Sequence, residues 1–280
     1  IAVAEDSLSL SIGQWSFEQR HASNFTIDIK LTDKGLGFTA SADNVQLASP
    51  LGKISQVKLN CKEVVFVSEK ISCARGMLAF YHKEIGSQQL DFEFEASPNN
   101  EKYKLEVENL KLASALFSVT FILKGDTWKV FADTPKVLLP SLLDSLSPFL
   151  AAEQLEPLAN WSLAGELKLD LDLVGQADRL NEIELDLETK KLNLSDNDGL
   201  YVSEELISIL SLEAEQIKDE WVWQTKLKVD SGQAYAEPVF IDFTDTPINL
   251  EAKGRWLIDS ALLHINELTF KHAEIMQFQA

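Results

Sequence analysis

The chain of 280 residues carries 44 acidic against 25 basic residues, which gives it a formal charge of −19. This acidic excess repels phosphate backbones and no cluster of Lys or Arg offsets it, so we expect no nucleic-acid partner. The same charge disfavours adsorption onto an anionic bilayer surface. The sequence contains no run of about 18 or more apolar residues that could span a membrane.

Most of the chain alternates apolar and polar residues with a period of two, which is typical of strands. The run from Leu90 to Glu95, for example, places Phe92 and Phe94 on one face and acidic residues on the other. One wet face and one apolar face indicate an antiparallel sheet. In the first part of the chain, strands are predicted near 7–17, 25–31, 35–41, 43–49, 54–67, 71–82, 89–96, 102–112, 115–123 and 126–132.

The two cysteines, Cys61 and Cys73, flank a predicted hairpin whose turn falls near residues 68–70. Antiparallel neighbours bring Cα atoms to the separation of about 5.5–6 Å that a disulfide needs. Such a disulfide would indicate an oxidising compartment. The alternative is a pair of buried free thiols. A metal site is not predicted, because two thiols without nearby histidines do not complete a shell of four ligands.

The period changes between residues 134 and 158, where apolar residues recur at helical spacing. Prolines interrupt this segment, so we predict short, kinked helical pieces rather than one long helix. Ser147 followed by Pro148 is typical of an N-cap and a first helical residue. The change of pattern predicts an N-terminal β region, 1–133, and a helix-plus-β region, 134–280, that continues the same sheet.

Strands are predicted again near 161–175, 181–194, 220–230, 234–243, 247–258 and 261–270. A second helix is predicted at about 203–217, with Ser203 as its N-cap and two glutamates in its first turn. Several strands reach about 10–14 residues, against a usual mode of about 5–6. Long one-faced strands in series predict a mainly β protein with a long, curved antiparallel sheet and a few short amphipathic helices.

The apolar faces of these strands are the main candidate site. Either another protein layer covers them as a closed core, or they line a groove that holds acyl chains. Each methylene moved from water into such a groove gains about 0.8 kcal/mol. Periodicity does not distinguish the two. The candidate groove residues are Leu167, Leu169, Leu171, Leu173, Ile183, Leu185, Leu187, Phe92 and Phe94.

Chemistry-bearing motifs are not recognised in this sequence. It has no glycine-rich phosphate loop, nucleophile elbow or zinc-protease helix motif, and its histidines do not lie at metal-ligand spacing. Most carboxylates occupy the polar positions of alternating strands, where a solvated face puts them. We therefore expect no catalytic residues, no metal site and no cofactor.

Two segments carry a resemblance to a known family. Leu163–Leu171, which follows leucine-rich helical pieces, resembles the repeating segments of the AsmA-like superfamily, and so does Leu250–Trp256 with the following Leu263–Leu268. The superfamily includes the TamB, YhdP and YdbH proteins of Gram-negative envelopes. In those proteins, similar strands build a long sheet folded like a taco shell around an apolar interior, anchored at the inner membrane and implicated in carrying phospholipid across the periplasm.

The resemblance implies a non-enzymatic periplasmic protein, or a segment of a protein anchored in the inner membrane, that acts in lipid transport and outer-membrane biogenesis. Its ligand would be a phospholipid or another acyl-chain lipid. An oxidising periplasm would fit a disulfide between Cys61 and Cys73. The alternative is a structural or interaction module in envelope assembly or secretion, with a closed β core and a sheet edge that pairs with an envelope protein partner.

Overall fold

The computed structural model describes residues 7–17, 20–32, 35–47, 52–67, 69–113, 115–150, 156, 159–244, 246–258, 260, 262–272 and 276–279. The fold is mainly β and antiparallel, as predicted, with 82% of the structure in strands and 6% helical. The chain divides into two compact units. The first comprises residues 1–112, 116–126 and 148–150, and the second comprises residues 113–115, 127–147 and 151–280.

The strands of the first unit are consecutive along the chain, and from β1 to β7 each pairs antiparallel with the next. A 3-10 turn at Pro98–Asn100 joins β6 to β7. The two strands predicted at 35–41 and 43–49 form a single strand over the described residues. The strands are β1 (Ser7–Phe17), β2 (Arg20–Thr32), β3 (Gly35–Gln46), β4 (Lys53–Val67), β5 (Lys70–His82), β6 (Gly86–Ser97), β7 (Lys102–Leu112) and β8 (Ala115–Lys124).

A disulfide anchors the core of this unit, which confirms the predicted bond and excludes the alternative of free thiols. The Cα atoms of Cys61 and Cys73 lie 6.2 Å apart, and both residues are 1% exposed. The two cysteines are diagonal rather than directly opposite, because Cys61 pairs with Gly76 and Val64 pairs with Cys73 across β4 and β5. The disulfide therefore crosses an irregular stretch of the hairpin.

Phe92 covers this irregular stretch from β6. It pairs with Gly76, and its ring occupies the space that a side chain at Gly76 would fill. Phe92 is buried with both cysteines and Val64 in one cluster, against which Phe94 packs. The glycine thus allows an aromatic ring to lie flat on the sheet over the disulfide.

The second unit is also antiparallel, and in it β9, β10, β11, β12, β13, β15, β16 and β17 are neighbours in that order. The short β14 pairs with the far end of β13. Four strands are 16 to 18 residues long, and the three of them that were predicted as strands exceed their predicted lengths. The strands are β9 (Thr127–Leu138), β10 (Trp161–Gln176), β11 (Arg179–Asp196), β12 (Tyr201–Ile217), β13 (Glu220–Ala236), β14 (Val239–Asp242), β15 (Ile248–Leu257), β16 (Leu262–His272) and β17 (Met276–Gln279).

The prediction of a helix at 203–217 is wrong, because these residues lie in β12. Glu205 has a φ of 51° where the pairing register shifts, so the chain gains an extra residue at a bulge. The bulge changes the phase of the alternation, which makes the apolar residues fall at helical spacing. Ser203 is not an N-cap: its hydroxyl accepts a hydrogen bond of 3.1 Å from the backbone N–H of Leu194.

The predicted helical segment begins later than expected. Residues 134–138 extend β9, with Pro135 at a register shift where a strand tolerates a missing N–H. One short α-helix, α1 (Leu139–Leu146), follows and contacts β9 and β10. Ser147 ends α1 and begins a 3-10 turn at Ser147–Phe149 instead of capping a new helix. The rest of the predicted helical segment, 151–155 and 157–158, lies outside the described residues.

Loss of the disulfide should lower the free energy of unfolding by about 2–4 kcal/mol, because the crosslink restricts the unfolded chain. Chemical denaturation of the Cys61→Ser/Cys73→Ser double variant measures this loss. Reductant should destabilise the wild type to a similar extent and leave the double variant unchanged. An unfolding midpoint that is the same for both proteins would contradict a structural role for the bond.

Gly76→Ala should lower the free energy of unfolding by about 1–3 kcal/mol, because the new methyl group meets the Phe92 ring. Gly13→Ala in β1 is the matched control, since a methyl group there meets nothing within 4 Å. Adding Phe92→Leu to Gly76→Ala should recover part of the loss. Equal stabilities of the two alanine variants would show that the ring is not held over Gly76.

Candidate functional site

One face of the second unit carries a continuous set of apolar side chains, which we call the leucine face. The pairing registers align these side chains in four rows. Each row contains one residue from each of β9, β10, β11, β12, β13, β15 and β16. From β9 to β16 the rows are Val130, Leu173, Ile183, Ala214, Trp223, Gly254 and Ile265; Ala132, Leu171, Leu185, Leu212, Thr225, Ala252 and Leu268; Thr134, Leu169, Leu187, Leu210, Leu227, Leu250 and Phe270; and Val137, Leu167, Thr189, Ser208, Val229, Ile248 and His272.

The structure brings all seven aliphatic candidates of β10 and β11 together on this face. Leu167 is buried, with 9% of its surface exposed. The other six are half-buried, so the protein itself covers them only in part. A face of half-buried leucines retains apolar area that favours a further cover.

Sequence reasoning missed most of the leucine face beyond β11. In β12, the wrong helix prediction obscured the alternation of Leu210, Leu212 and Ala214. In β13 and β15, Leu227 and Leu250 continue the row of Leu169. The alternation within each strand was a usable signal, but only the pairing register shows that these residues lie side by side.

Exposure of the leucine face changes from one border to another. Val137 and Thr134, which directly precede α1, are each 1% exposed. Along the same border, Thr189 and Ser208 satisfy each other through a hydroxyl–hydroxyl contact of 2.7 Å. At the far corner, Ile265 of β16 is 56% exposed. The face is therefore closed along the row of Val137 and open towards β16.

Two tryptophans lie flat on this face above glycines of neighbouring strands. The Trp128 ring covers Gly175, and the Trp223 ring covers Gly254. Trp128 donates an indole hydrogen bond of 3.1 Å to the carbonyl oxygen of Ala177. The same combination of ring and glycine occurs at Phe92 and Gly76 in the first unit, so flat aromatic rings are a repeated feature of the apolar faces.

Phe92 and Phe94, the other two groove candidates, belong to the first unit. Phe92 is 7% exposed and packs against the disulfide, while Phe94 is half-buried at the border of the same cluster. Their immediate surroundings are those of core residues. Their assignment to a lipid groove stays a prediction.

The opposite, wet face of the second unit is crowded with acid. Asp133, Asp170 and Asp186 are direct cross-strand neighbours on β9, β10 and β11. Lys168 lies 3.0 Å from Asp170 and 3.4 Å from Glu188, and these two ion pairs raise the pKa of the lysine. One cation thus offsets only part of the acid on this part of the sheet.

Asp172 belongs to the same acidic group. Partial burial raises its pKa, and the charges of Asp170 and Asp186 raise it further, while Lys129 opposes them. Asp172 pairs with Phe131 on β9 and with Glu184 on β11. Its ionised form is therefore disfavoured on this surface.

Two depressions of the described surface lie largely apart from the seven aliphatic candidates. One, of about 750 Å³ in the first unit, is lined by residues such as Lys62 and Glu93. The other, of about 720 Å³ in the second unit, is lined mainly by wet-face residues such as Glu184 and Lys253, but Ile183 of the leucine face also lines it. The six other candidates line neither depression.

In the part of the chain that the structure describes, no group of three or more His, Cys, Asp or Glu residues is placed to hold a metal ion. No described helix is long and apolar enough to cross a membrane.

Comparison of the chain with protein-family models, with curated proteins and with solved structures gives no match. The candidate site is therefore defined by the registers, exposures and charges of the sheet itself.

Asp172→Asn should raise the free energy of unfolding at neutral pH by up to about 1 kcal/mol, because it removes a carboxylate held among like charges. Because the pKa of Asp172 is higher in the folded state than in the unfolded state, the wild type gains stability as the pH falls through the folded-state pKa. This gain is complete below the ordinary pKa of 3.8. The difference between variant and wild type should therefore shrink on acidification.

Urea denaturation at a series of pH values measures this difference. Asp178→Asn, in the turn between β10 and β11, is the control and should give a smaller change at neutral pH. A difference between Asp172→Asn and the wild type that grows as the pH falls would contradict the assignment.

Proposed function

We propose that this protein binds lipid without catalysis and transfers it, with acyl chains lying along the leucine face. The observation that carries the proposal is the alignment of four mainly apolar rows across seven strands, with the leucines at their centre left half-buried. A core residue of a closed sandwich would be covered by a second layer. A half-covered face instead gains stability from an apolar ligand.

The dimensions of the leucine face suit an acyl chain. Neighbouring strands are spaced by about 4.8 Å, so a row of seven strands extends over roughly 29 Å of sheet. The hydrocarbon core of a bilayer, which is two acyl chains thick, measures about 30 Å. One row is thus long enough for a whole chain, and each buried methylene adds about 0.8 kcal/mol.

The charge of the wet face supports a soluble carrier. The acidic groups around Asp170 and Asp186 keep that face hydrated and repel other acidic surfaces. The lipid headgroup would stay in water while its chains contact the leucines. The protein would thus hold an apolar cargo without exposing a large apolar surface when loaded.

The disulfide indicates an oxidising compartment, and the periplasm of a Gram-negative envelope is the location that we propose. This location agrees with the resemblance of Leu163–Leu171 and Leu250–Trp256 to segments of the AsmA-like superfamily. We accordingly place the protein in lipid homeostasis of the cell envelope, as a carrier or as one segment of a longer one.

Bound lipid provides the test. Purified protein is extracted with organic solvent, and the extract is analysed by mass spectrometry for phospholipid in near-stoichiometric amount. Leu185→Gln should reduce the recovered lipid severalfold, because it puts an amide in the middle of the leucine face. Glu184→Gln, the neighbouring position on the wet face, introduces the same side chain and should leave the lipid unchanged.

Circular dichroism establishes that both variants are folded before they are compared. A lipid-free wild type that also fails to take up added phospholipid would overturn the proposal. Equal lipid content in both glutamine variants would show that the ligand lies elsewhere.

The alternative is a structural or interaction module of envelope assembly or secretion. The first unit favours this alternative, because its apolar face packs into a buried cluster around Cys61, Cys73 and Phe92. A lipid-free protein that captures an envelope protein would support it.

A further inference from the structure

The second unit ends in an apolar tip at the turns that join β12 to β13 and β15 to β16. We call this tip the tryptophan end. It consists of Ile217, Trp221, Val222, Trp256, Leu262, Leu263 and Ile265. Six of these side chains, all except Trp221, are between 38% and 57% exposed. Such large apolar side chains on a strand end indicate a surface that is covered in function.

The tryptophan end continues the leucine face. Trp221, Trp256 and Leu263 are cross-strand neighbours in the row directly beyond Trp223, Gly254 and Ile265. An acyl chain that lies on the leucine face therefore meets no polar side chain between the row of Trp223 and the tip. The tip is the place where a chain could enter or leave the face.

Apolar residues at this tip occupy both faces of the sheet, which an apolar interior alone does not require. On the wet face, the position next to Glu215 in the direction of the tip is Ile217 in β12, and the position next to Gln224 in that direction is Val222 in β13. Leu262 lies on the same side, two positions from His264. A tip that is apolar on both faces suits insertion into the interface of a bilayer, because the bilayer then contacts both faces. Tryptophan is enriched at that interface.

Charge distinguishes this tip from the opposite end of the same strands. The opposite end also exposes aromatic residues, with Tyr201 at 53% and Phe240 at 59%. Its turn segments, 196–201 and 236–239, contain three acids and no Lys or Arg. At the tryptophan end, the turn segments 176–179, 217–220 and 257–262 contain four acids, and Arg179, Lys218 and the neighbouring Arg255 offset part of this charge. Approach to phospholipid phosphates is thus less opposed at the tryptophan end.

We propose that the tryptophan end docks on the headgroup region of a phospholipid bilayer, where lipid passes between the bilayer and the leucine face. The inference rests on the proposed lipid function. The contact is apolar and limited to one tip, so it is compatible with the net charge of −19, which opposes adsorption of the whole molecule. The shallow insertion of a few Trp, Leu and Ile side chains suits a reversible contact.

Flotation with phosphatidylcholine vesicles tests the docking. We expect the wild type to float with the vesicles and the Leu262→Ser/Leu263→Ser double variant to lose about tenfold or more in partitioning, because two apolar side chains no longer enter the bilayer. Tyr201→Ser/Phe240→Ser, at the opposite end, is the matched control and should partition as the wild type does. Trp256→Ser serves as a second variant if the first double variant fails to fold.

The outcomes separate this inference from the proposed function. Docking is supported when the Leu262→Ser/Leu263→Ser variant keeps its extracted phospholipid and no longer floats. It is overturned when the wild type does not float, when both double variants lose flotation equally, or when only the control variant loses it. A wild type that floats through this tip but yields no lipid on extraction would retain the docking surface and remove the carrier function.

Discussion

The structure depends on one constraint: a strand presents alternate side chains to opposite faces, and the apolar face must be covered by something. In the first unit that cover is internal, since Phe92 and its neighbours bury the disulfide. In the second unit the pairing registers place apolar residue beside apolar residue across seven strands, but the central leucines remain half-buried. The need for a cover at this face links the fold to the proposed lipid function.

The wet face sets the limits of that function. Asp133, Asp170 and Asp186 are neighbours across three strands, an arrangement that costs stability because like charges face one another. Such a surface favours solution over association with acidic partners. In the proposed function the sheet has two opposed properties, an apolar side that would contact acyl chains and an acidic side that would keep the loaded protein dispersed.

The sequence predicts most strands and the shared face of the aliphatic candidates well, because both are local consequences of a period of two. The seven aliphatic candidates from Leu167 to Leu187 do share one face, and Cys61 does bond to Cys73. The disulfide could be predicted because a short hairpin brings its ends together whatever the rest of the chain does.

What could not be predicted depends on interactions between distant strands. The bulge at Glu205 changes the phase of β12, so that its apolar residues fall at helical spacing until pairing with β11 and β13 fixes them as strand. Likewise, the flat rings of Trp128 and Trp223 above Gly175 and Gly254 join residues far apart in the chain. No local pattern contains these contacts.

The central claim is that an acyl chain lies on the leucine face, and photo-crosslinking in lipid-loaded protein tests it most directly. A benzophenone side chain at position 185, in place of Leu185, should crosslink to phospholipid, whereas the same group at position 184, in place of Glu184, should not. Crosslinks to lipid at both positions or only at position 184 would contradict the account, as would their absence at position 185.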